Sequence, residues 1–238
     1  MSKVDYGLDA PGVVRNLALA GLTLWGLSLA GPRWLHVAPR LAHTLLAMGF
    51  VFAAEAGLMV LTSRWGKLKA RDRLLACHPW QGGERVLDVG CGRGLLLIGA
   101  ARRLSTGKVV GLDLWNETDL SGNGRAATEA NVAIEGLEAR VELVDGNAKA
   151  MPFGDAGFDV AVSSLCLHNL DKPQDRVAAL AEIVRVLKPG GRVLIQDFRH
   201  TADYARELER LGLVEVRRAL VNPLLMFPPT WRVEGRKP

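Results

Sequence analysis

Arg85-Val86-Leu87-Asp88-Val89-Gly90-Cys91-Gly92-Arg93-Gly94 runs straight into Leu95-Leu96-Leu97-Ile98-Gly99-Ala100-Ala101, and this junction decides the fold. A short apolar run, then closely spaced glycines, then a helical pattern is how a parallel strand hands over to a helix across a ligand-binding loop. With no side chain at Gly90, Gly92 or Gly94, a ligand can press against bare backbone, and the first N–H groups of the helix stay free to bond it. A dinucleotide loop needs a third glycine at the sixth position of G-x-G-x-x-G, where this chain has Leu95, so the pyrophosphate reading is weakened. Asp88 precedes the glycines, and Asp113 closes a second apolar run, Lys108 to Asp113, 19 residues after Gly94. A carboxylate there can accept both ribose hydroxyls of a nucleoside, so the ligand reads as nucleoside-like without a need for phosphate.

Downstream, apolar runs and helical patterns alternate. Val86 to Val89, Val109 to Leu114, Arg140 to Val144, Asp159 to Ser163 and Arg192 to Gln196 read as strands. Leu95 to Leu104, Arg125 to Glu135 and Val177 to Leu187 read as helices, with Trp115 to Gly124 as a polar loop. Nearly continuous apolar strands alternating with helices predict an α/β, Rossmann-like, doubly wound and mostly parallel sheet covered on both faces.

The first third of the chain differs. Of the 238 residues 49% are hydrophobic and the net charge is +5; residues 1–75 hold nine Lys and Arg against four Asp and Glu, so the whole excess lies there. The balanced remainder argues against a basic groove, and no nucleic-acid partner is expected. Asn16 to Pro32 is free of charge, and Leu41 to Ser63 contains only His43 and Glu55 as ionisable groups. These lengths approach the ~20 apolar residues of a spanning helix. Five cations between Arg64 and Arg73, beside Trp65, follow the rule that positive charge stays on the cytoplasmic side. The reading is a hairpin of helices at about 16–32 and 41–63, joined by an interfacial turn from Pro32 to Arg40, with both ends in the cytosol. A pair lying in one leaflet and a signal peptide cleaved after Ala30 are the alternatives. Glu55 would face the other helix, pair with His43 or a partner protomer, or line a substrate path. Domain boundaries are set at 1–73 for the membrane-anchoring region, its basic part at 64–73, and 74–238 for the rest. Cys77, Cys91 and Cys166 are odd in number and lack metal-ligand spacing, which fits a reduced domain facing the cytosol and no metal site.

From about Leu74 onward the sequence resembles the class I S-adenosylmethionine-dependent methyltransferases, with a type 11-like domain. The matching residues are Val86 to Gly94, Gly111-Leu112-Asp113, Asn147-Ala148 with Met151-Pro152-Phe153, Phe158 to Ser164, Leu167-His168-Asn169-Leu170, and Glu182 to Arg192. The resemblance implies S-adenosyl-L-methionine as cofactor and a seven-stranded sheet closed by an antiparallel pair, Val214 to Arg218 and Thr230 to Glu234. It places Asp88, Gly90, Cys91, Gly92 and Gly94 at the amino-acid end of the cofactor, Asp113 at the ribose, Leu114 or Trp115 beside the adenine, and Asn147, Ala148 and Ser163 nearby. Asn147 stands where the family has an acid, and its carbonyl can still accept from the adenine amino group.

Methyl transfer from a sulfonium needs mainly proximity and alignment, and a general base only where the acceptor carries a proton. His168 and His200 are the candidates for that base, and Tyr6 for a lid over the cofactor. With no inserted cap domain after the fifth strand, the N-terminal region must cover the substrate face. The expected enzyme is therefore a membrane-anchored methyltransferase at the cytoplasmic membrane, acting on a small hydrophobic or lipid-like acceptor. A membrane-tethered scaffold that keeps the fold without turnover is the rival reading. A nicotinamide oxidoreductase is disfavoured by Leu95 and by the lack of a Tyr-x-x-x-Lys pair.

Overall fold

The computed structural model describes residues 4–34, 38–116 and 120–238. Two helices come first, α1 (Pro11–Trp34) and α2 (Pro39–Leu61). Both reach further toward the N-terminus than the uncharged runs alone predict, because proline is tolerated in a first helical turn, where its missing N–H is not needed. The turn expected from Pro32 to Arg40 is thereby shortened; its residues 35–37 lie outside the described residues.

The two helices pack through small residues. A Cβ on Gly49 would sit 2.4 Å from Trp25 Cδ1, and one on Gly21 3.1 Å from the Gly49 carbonyl. Ser28 Oγ donates to the Ala42 carbonyl at 2.9 Å, and Trp25 meets Phe50 edge-on at 5.0 Å. Close approach through glycine is the packing mode of helices in lipid. The outer faces stay bare: Leu22, Leu29, Phe50, Val51 and Leu61 are all exposed. By length and composition both helices can cross a membrane.

Beyond α2 the chain keeps winding, through a π-helical turn (Thr62–Gly66) into α3 (Lys67–Leu75). The basic stretch 64–73 is thus helical. Leu74 and Leu75 are buried with Val86, Leu97 and Val109, so a boundary at 73/74 cuts a helix that belongs to the core of the sheet domain.

Seven strands form one sheet: β1 (Arg85–Val89), β2 (Lys108–Asp113), β3 (Val141–Asp145), β4 (Phe158–Ser164), β5 (Leu187–Asp197), β6 (Val214–Leu220) and β7 (Trp231–Arg236). Their order is β3-β2-β1-β4-β5-β7-β6; the first five are parallel, and β7 runs antiparallel to both β5 and β6. Helices α4 (Leu95–Ala101), α5 (Arg125–Ile134), α6 (Pro173–Val186) and α7 (Thr201–Arg210) cover it. Alternation along β1 sends Val86 into the layer with Leu75 and Leu97, and Leu87 into the opposite layer with Phe158, Leu180 and Tyr204. β5 is longer than the predicted Arg192 to Gln196, because pairing with β4 already begins at Leu187, directly off α6. Strand order reverses between β1 and β4, which puts the crevice for a ligand at their carboxyl ends.

Candidate active site

A cavity of about 740 Å³ opens at that crevice, within the ~300–1,000 Å³ of typical ligand sites. One wall is the β1–α4 loop. Gly90 has φ +72°, and a Cβ there would come within 2.1 Å of Cys166 Sγ, so only bare backbone fits. Asp113 Oδ2 accepts the Gly92 N–H at 2.7 Å and Oδ1 accepts the Trp115 N–H at 2.7 Å. Each oxygen keeps a further lone pair for a diol. Cys91, Leu114, Asn147 and Ala148 complete this side.

Among the buried polar atoms without partners on the cavity wall are those of Asp88 and Arg71. Asp88 is 1% exposed and its Oδ2 makes no hydrogen bond. Burial pushes its carboxyl up to about 8, the Asp113 charge adds to the rise, and the Leu97 amide opposes it. Arg71, 7% exposed, spends Nε and Nη2 on Asp72 at 2.9 and 3.2 Å and leaves Nη1 buried and unpaired. A buried carboxyl oxygen and a buried guanidinium N–H, each without a hydrogen-bond partner on one cavity, are the complement of the ammonium and carboxylate of an α-amino acid, since an unsatisfied buried polar group is costly.

The N-terminal segment forms a strap over this wall. Lys67 Nζ donates to the carbonyls of Tyr6 and Gly7 at 3.0 and 2.7 Å and lies 3.2 Å from Asp9 Oδ1. Ser63 Oγ donates to Asp9 Oδ2 at 2.9 Å, the Leu8 N–H to Ser121 Oγ at 2.7 Å, and the Asp5 N–H to Asn131 Oδ1 at 3.1 Å. Tyr6 lies on the cavity wall, and burial raises its phenol above the ordinary value.

The far end reaches the helix pair, where Val13, Leu17, Glu55 and Met59 line it, opposite Met226 and Phe227. Glu55 faces this space. A contact with His43 is excluded, since twelve residues of one helix separate them by ~18 Å.

Several predicted residues fall elsewhere. Ser163 Oγ donates to the Val89 carbonyl at 2.8 Å and ties β4 to β1, while its neighbour Ser164 lines the cavity. Trp115 sits at φ +59° with Nε1 on Asp145 Oδ1 at 2.7 Å, so Leu114 lines the cavity and Trp115 does not. His200, also at φ +59°, caps α7 near Asp203 at 3.7 Å and lies off the cavity wall. Gly94, at φ +87°, lies behind the loop against Ile98 and Thr128 rather than on the wall. His168 does line the cavity, from a short 3₁₀ turn (Leu167–Asn169) after β4. Sequence reasoning passed over Arg71, Lys67, Phe198 and Arg199. For the last two, position just beyond the end of β5 was the available signal.

Residues 87–195 match the model of a methyltransferase domain. The chain is 36% identical over 128 residues to the ubiquinone/menaquinone biosynthesis C-methyltransferase UbiE of Dinoroseobacter shibae, covering 54% of this chain and 48% of that protein. It is 38% identical over 123 residues to the chloroplastic 2-phytyl-1,4-beta-naphthoquinone methyltransferase of Arabidopsis thaliana, covering 50% and 44%. The chain thus spans about half the length of the curated relatives it matches. Among solved structures, the [4+2]-cyclase SpnF superposes with a TM-score of 0.60 at 20% identity over 72% of this chain and 80% of that one. A SAM-dependent methyltransferase from Aquifex aeolicus does so with 0.56 at 22% identity over 71% and 90%. The fold is the Rossmann-like methyltransferase fold, and the cofactor of this domain class is S-adenosylmethionine.

Proposed function

We propose that the protein is a membrane-anchored methyltransferase that transfers a methyl group from S-adenosylmethionine to a small hydrophobic acceptor, of quinone or lipid type, drawn from the cytoplasmic leaflet. The observation that carries this reading is the continuity of the cavity. One end holds Asp88, Gly90 and Asp113, and the other lies between two helices whose outer faces are apolar. Bare apolar faces of this extent would aggregate in water, and a bilayer satisfies them. The activity named for the relatives, methylation of quinones, points the same way.

The residues present fit the cofactor. Asp113 would hold the ribose diol, Asp88 Oδ2 the ammonium and Arg71 Nη1 the carboxylate of its amino-acid end, with Asn147 and Leu114 toward the adenine. The bound group supplies an activated methyl on a sulfonium. The chain's own contribution is then alignment and exclusion of water: the strap held by Lys67 covers the cofactor loop, and Leu17 and Met59 keep the acceptor channel dry.

The test uses the full chain. Calorimetric titration of S-adenosylmethionine, with NAD in parallel, into detergent-solubilised protein should give micromolar binding of the first alone. The Arg71→Met change should weaken it at least about tenfold, ~1.4 kcal/mol. Methyl transfer should then be faster to a long-chain acceptor in vesicles than to its short-chain soluble analogue. Equal rates on both would overturn the membrane route, and absence of cofactor binding in folded protein would overturn the enzyme.

A further inference from the structure

Beyond the cofactor wall, the cavity carries a second polar cluster where β4 and β5 end. Asp197, the last residue of β5, is fully buried. It accepts the Phe198 N–H at 2.8 Å and the His168 N–H at 3.2 Å, and Tyr204 Oη lies 3.5 Å from Oδ2. His168 Nδ1 sits 2.8 Å from Oδ1, off line for a straight hydrogen bond, with its ring edge-on to Phe198 at 4.5 Å. With Nδ1 turned to Asp197, Nε2 is the ring's remaining polar edge, and it has no protein partner among the described residues. At the rim, the exposed Arg199 guanidinium meets the Phe198 ring at 5.8 Å and no carboxylate among the described residues.

We infer that His168 is a general base oriented by Asp197, and that the acceptor is an acidic hydroxyl compound, a phenol or hydroquinol, whose oxyanion Arg199 stabilises. This rests on the methyltransferase reading above. A buried carboxylate that holds one imidazole nitrogen leaves the other free to take a proton and stabilises the cation that forms. Imidazole is better matched to a phenol, whose ordinary pKa is ~10, than to the much less acidic alkyl alcohol. An amine acceptor would arrive as an ammonium, which a guanidinium on the cavity wall disfavours. In the step itself the acceptor O–H proton passes to His168 Nε2. The freed electron pair, on oxygen or on the conjugated ring carbon, forms the bond to the methyl carbon. The bond from that carbon to sulfur breaks with its pair left on sulfur, giving a neutral thioether. On the carbon route the ring proton is lost afterwards to water. Asp197 is a positioning residue and His168 a catalytic one.

The experiment measures transfer from isotope-labelled S-adenosylmethionine by the full chain in vesicles. The acceptors are a dodecyl hydroquinone in its reduced form, dodecanol and dodecylamine, tested across pH with cofactor titrations alongside. Asp197 is the charged group on the imidazole; Tyr204 from α7, with Arg176 from α6 and Cys166 near its phenol, faces that carboxylate, and Arg199 lines the same cavity. Only the hydroquinol should be methylated. His168→Gln should lower kcat about 100-fold or more at neutral pH with KM little changed, and should recover as pH rises toward the hydroquinol's own ionisation. Asp197→Asn should lower kcat less, with KM and cofactor affinity little changed, because the amide no longer holds the imidazole in line for the proton. Should Asp197→Asn fail to fold, His168→Gln decides alone. Normal cofactor binding with an unchanged pH profile in His168→Gln, or methylation of the amine or alcohol in preference, overturns the inference and leaves the methyltransferase reading standing. Loss of cofactor binding in the unaltered protein overturns both.

Discussion

The sheet domain and the helical hairpin are built from similar apolar residues and dispose of them in opposite ways. Val86, Leu87, Val160 and Val193 are wholly buried, whereas Phe50 and Val51 are 59% and 55% exposed. Glycine does the same job in both places, at Gly90 under Cys166 and at Gly49 under Trp25, by letting two segments touch without a Cβ between them. The difference teaches where each region finds its solvent. The strands bury their side chains inside the protein, and the hairpin buries only its seam. The two meet along one rod from α2 to α3, which delivers Met59 to one end of the cavity and Arg71 to the other.

The largest effect should come from Gly90→Val. Its side chain would have to enter the space of Cys166 from a left-handed backbone, costing on the order of 3 kcal/mol of stability and abolishing cofactor binding. Thermal unfolding and calorimetry check both. Survival of micromolar binding would show that the loop can shift and that the two glycine contacts are not equivalent.

Asp88 gives the next largest effect. Its carboxyl, ordinarily near 3.8, is pushed to about 8 by burial. The folded state therefore binds more protons than the unfolded one between those values. The contribution of Asp88 to the stability of the cofactor-free protein is fully present below about pH 4 and falls as pH rises toward 8, by up to ~1.4 kcal/mol per pH unit. A bound ammonium reverses the penalty, so the stabilisation by S-adenosylmethionine should grow from pH 6 to pH 7.5, and the growth should vanish in Asp88→Asn. A pH-independent shift in the unaltered protein would remove Asp88 from the ammonium site.

Gly49→Leu tests the hairpin alone. The added side chain collides with Trp25, 2.4 Å from the first added carbon, and should cost ~1–3 kcal/mol of packing. Cofactor affinity in detergent should stay within about twofold, while transfer to an acceptor in vesicles falls. Equal loss of both would mean that the seam also sets the strap and Arg71, and that hairpin and sheet act as one unit.

Much of this was legible in the sequence because parallel strands advertise themselves. An apolar run ending in Asp88-x-Gly90 fixes β1, and a ligand residue at a strand end needs no tertiary information. What was hidden depends on single-residue geometry or long-range side chains. Ser163 and Ser164 are adjacent, and period-two alternation sends one to the β1 backbone and the other to the cavity. His200 and Trp115 leave the site because each turns through a positive φ that nothing in the local residues announces. Lys67 bonds the strap across 60 residues of chain, and no periodicity encodes such a contact. The helix through residues 64–73 is masked by its charge, which reads as the basic juxtamembrane part of the anchor until packing on α4 reveals a buried face.

The smallest predicted effect sharpens the sheet side of the comparison. Trp115 is an obvious candidate to stack on an adenine, since it lies two residues beyond Asp113. Its backbone N–H instead holds Asp113 Oδ1, and its indole is turned out to Asp145. Trp115→Phe keeps the backbone bond and removes only the outward one. Affinity for S-adenosylmethionine should then change by less than about twofold, with Leu114→Ala weakening it more. A fivefold or larger loss in Trp115→Phe, with Leu114→Ala neutral, would mean that the indole swings inward on binding. The cofactor wall would then be as adaptable as the hairpin rather than preformed.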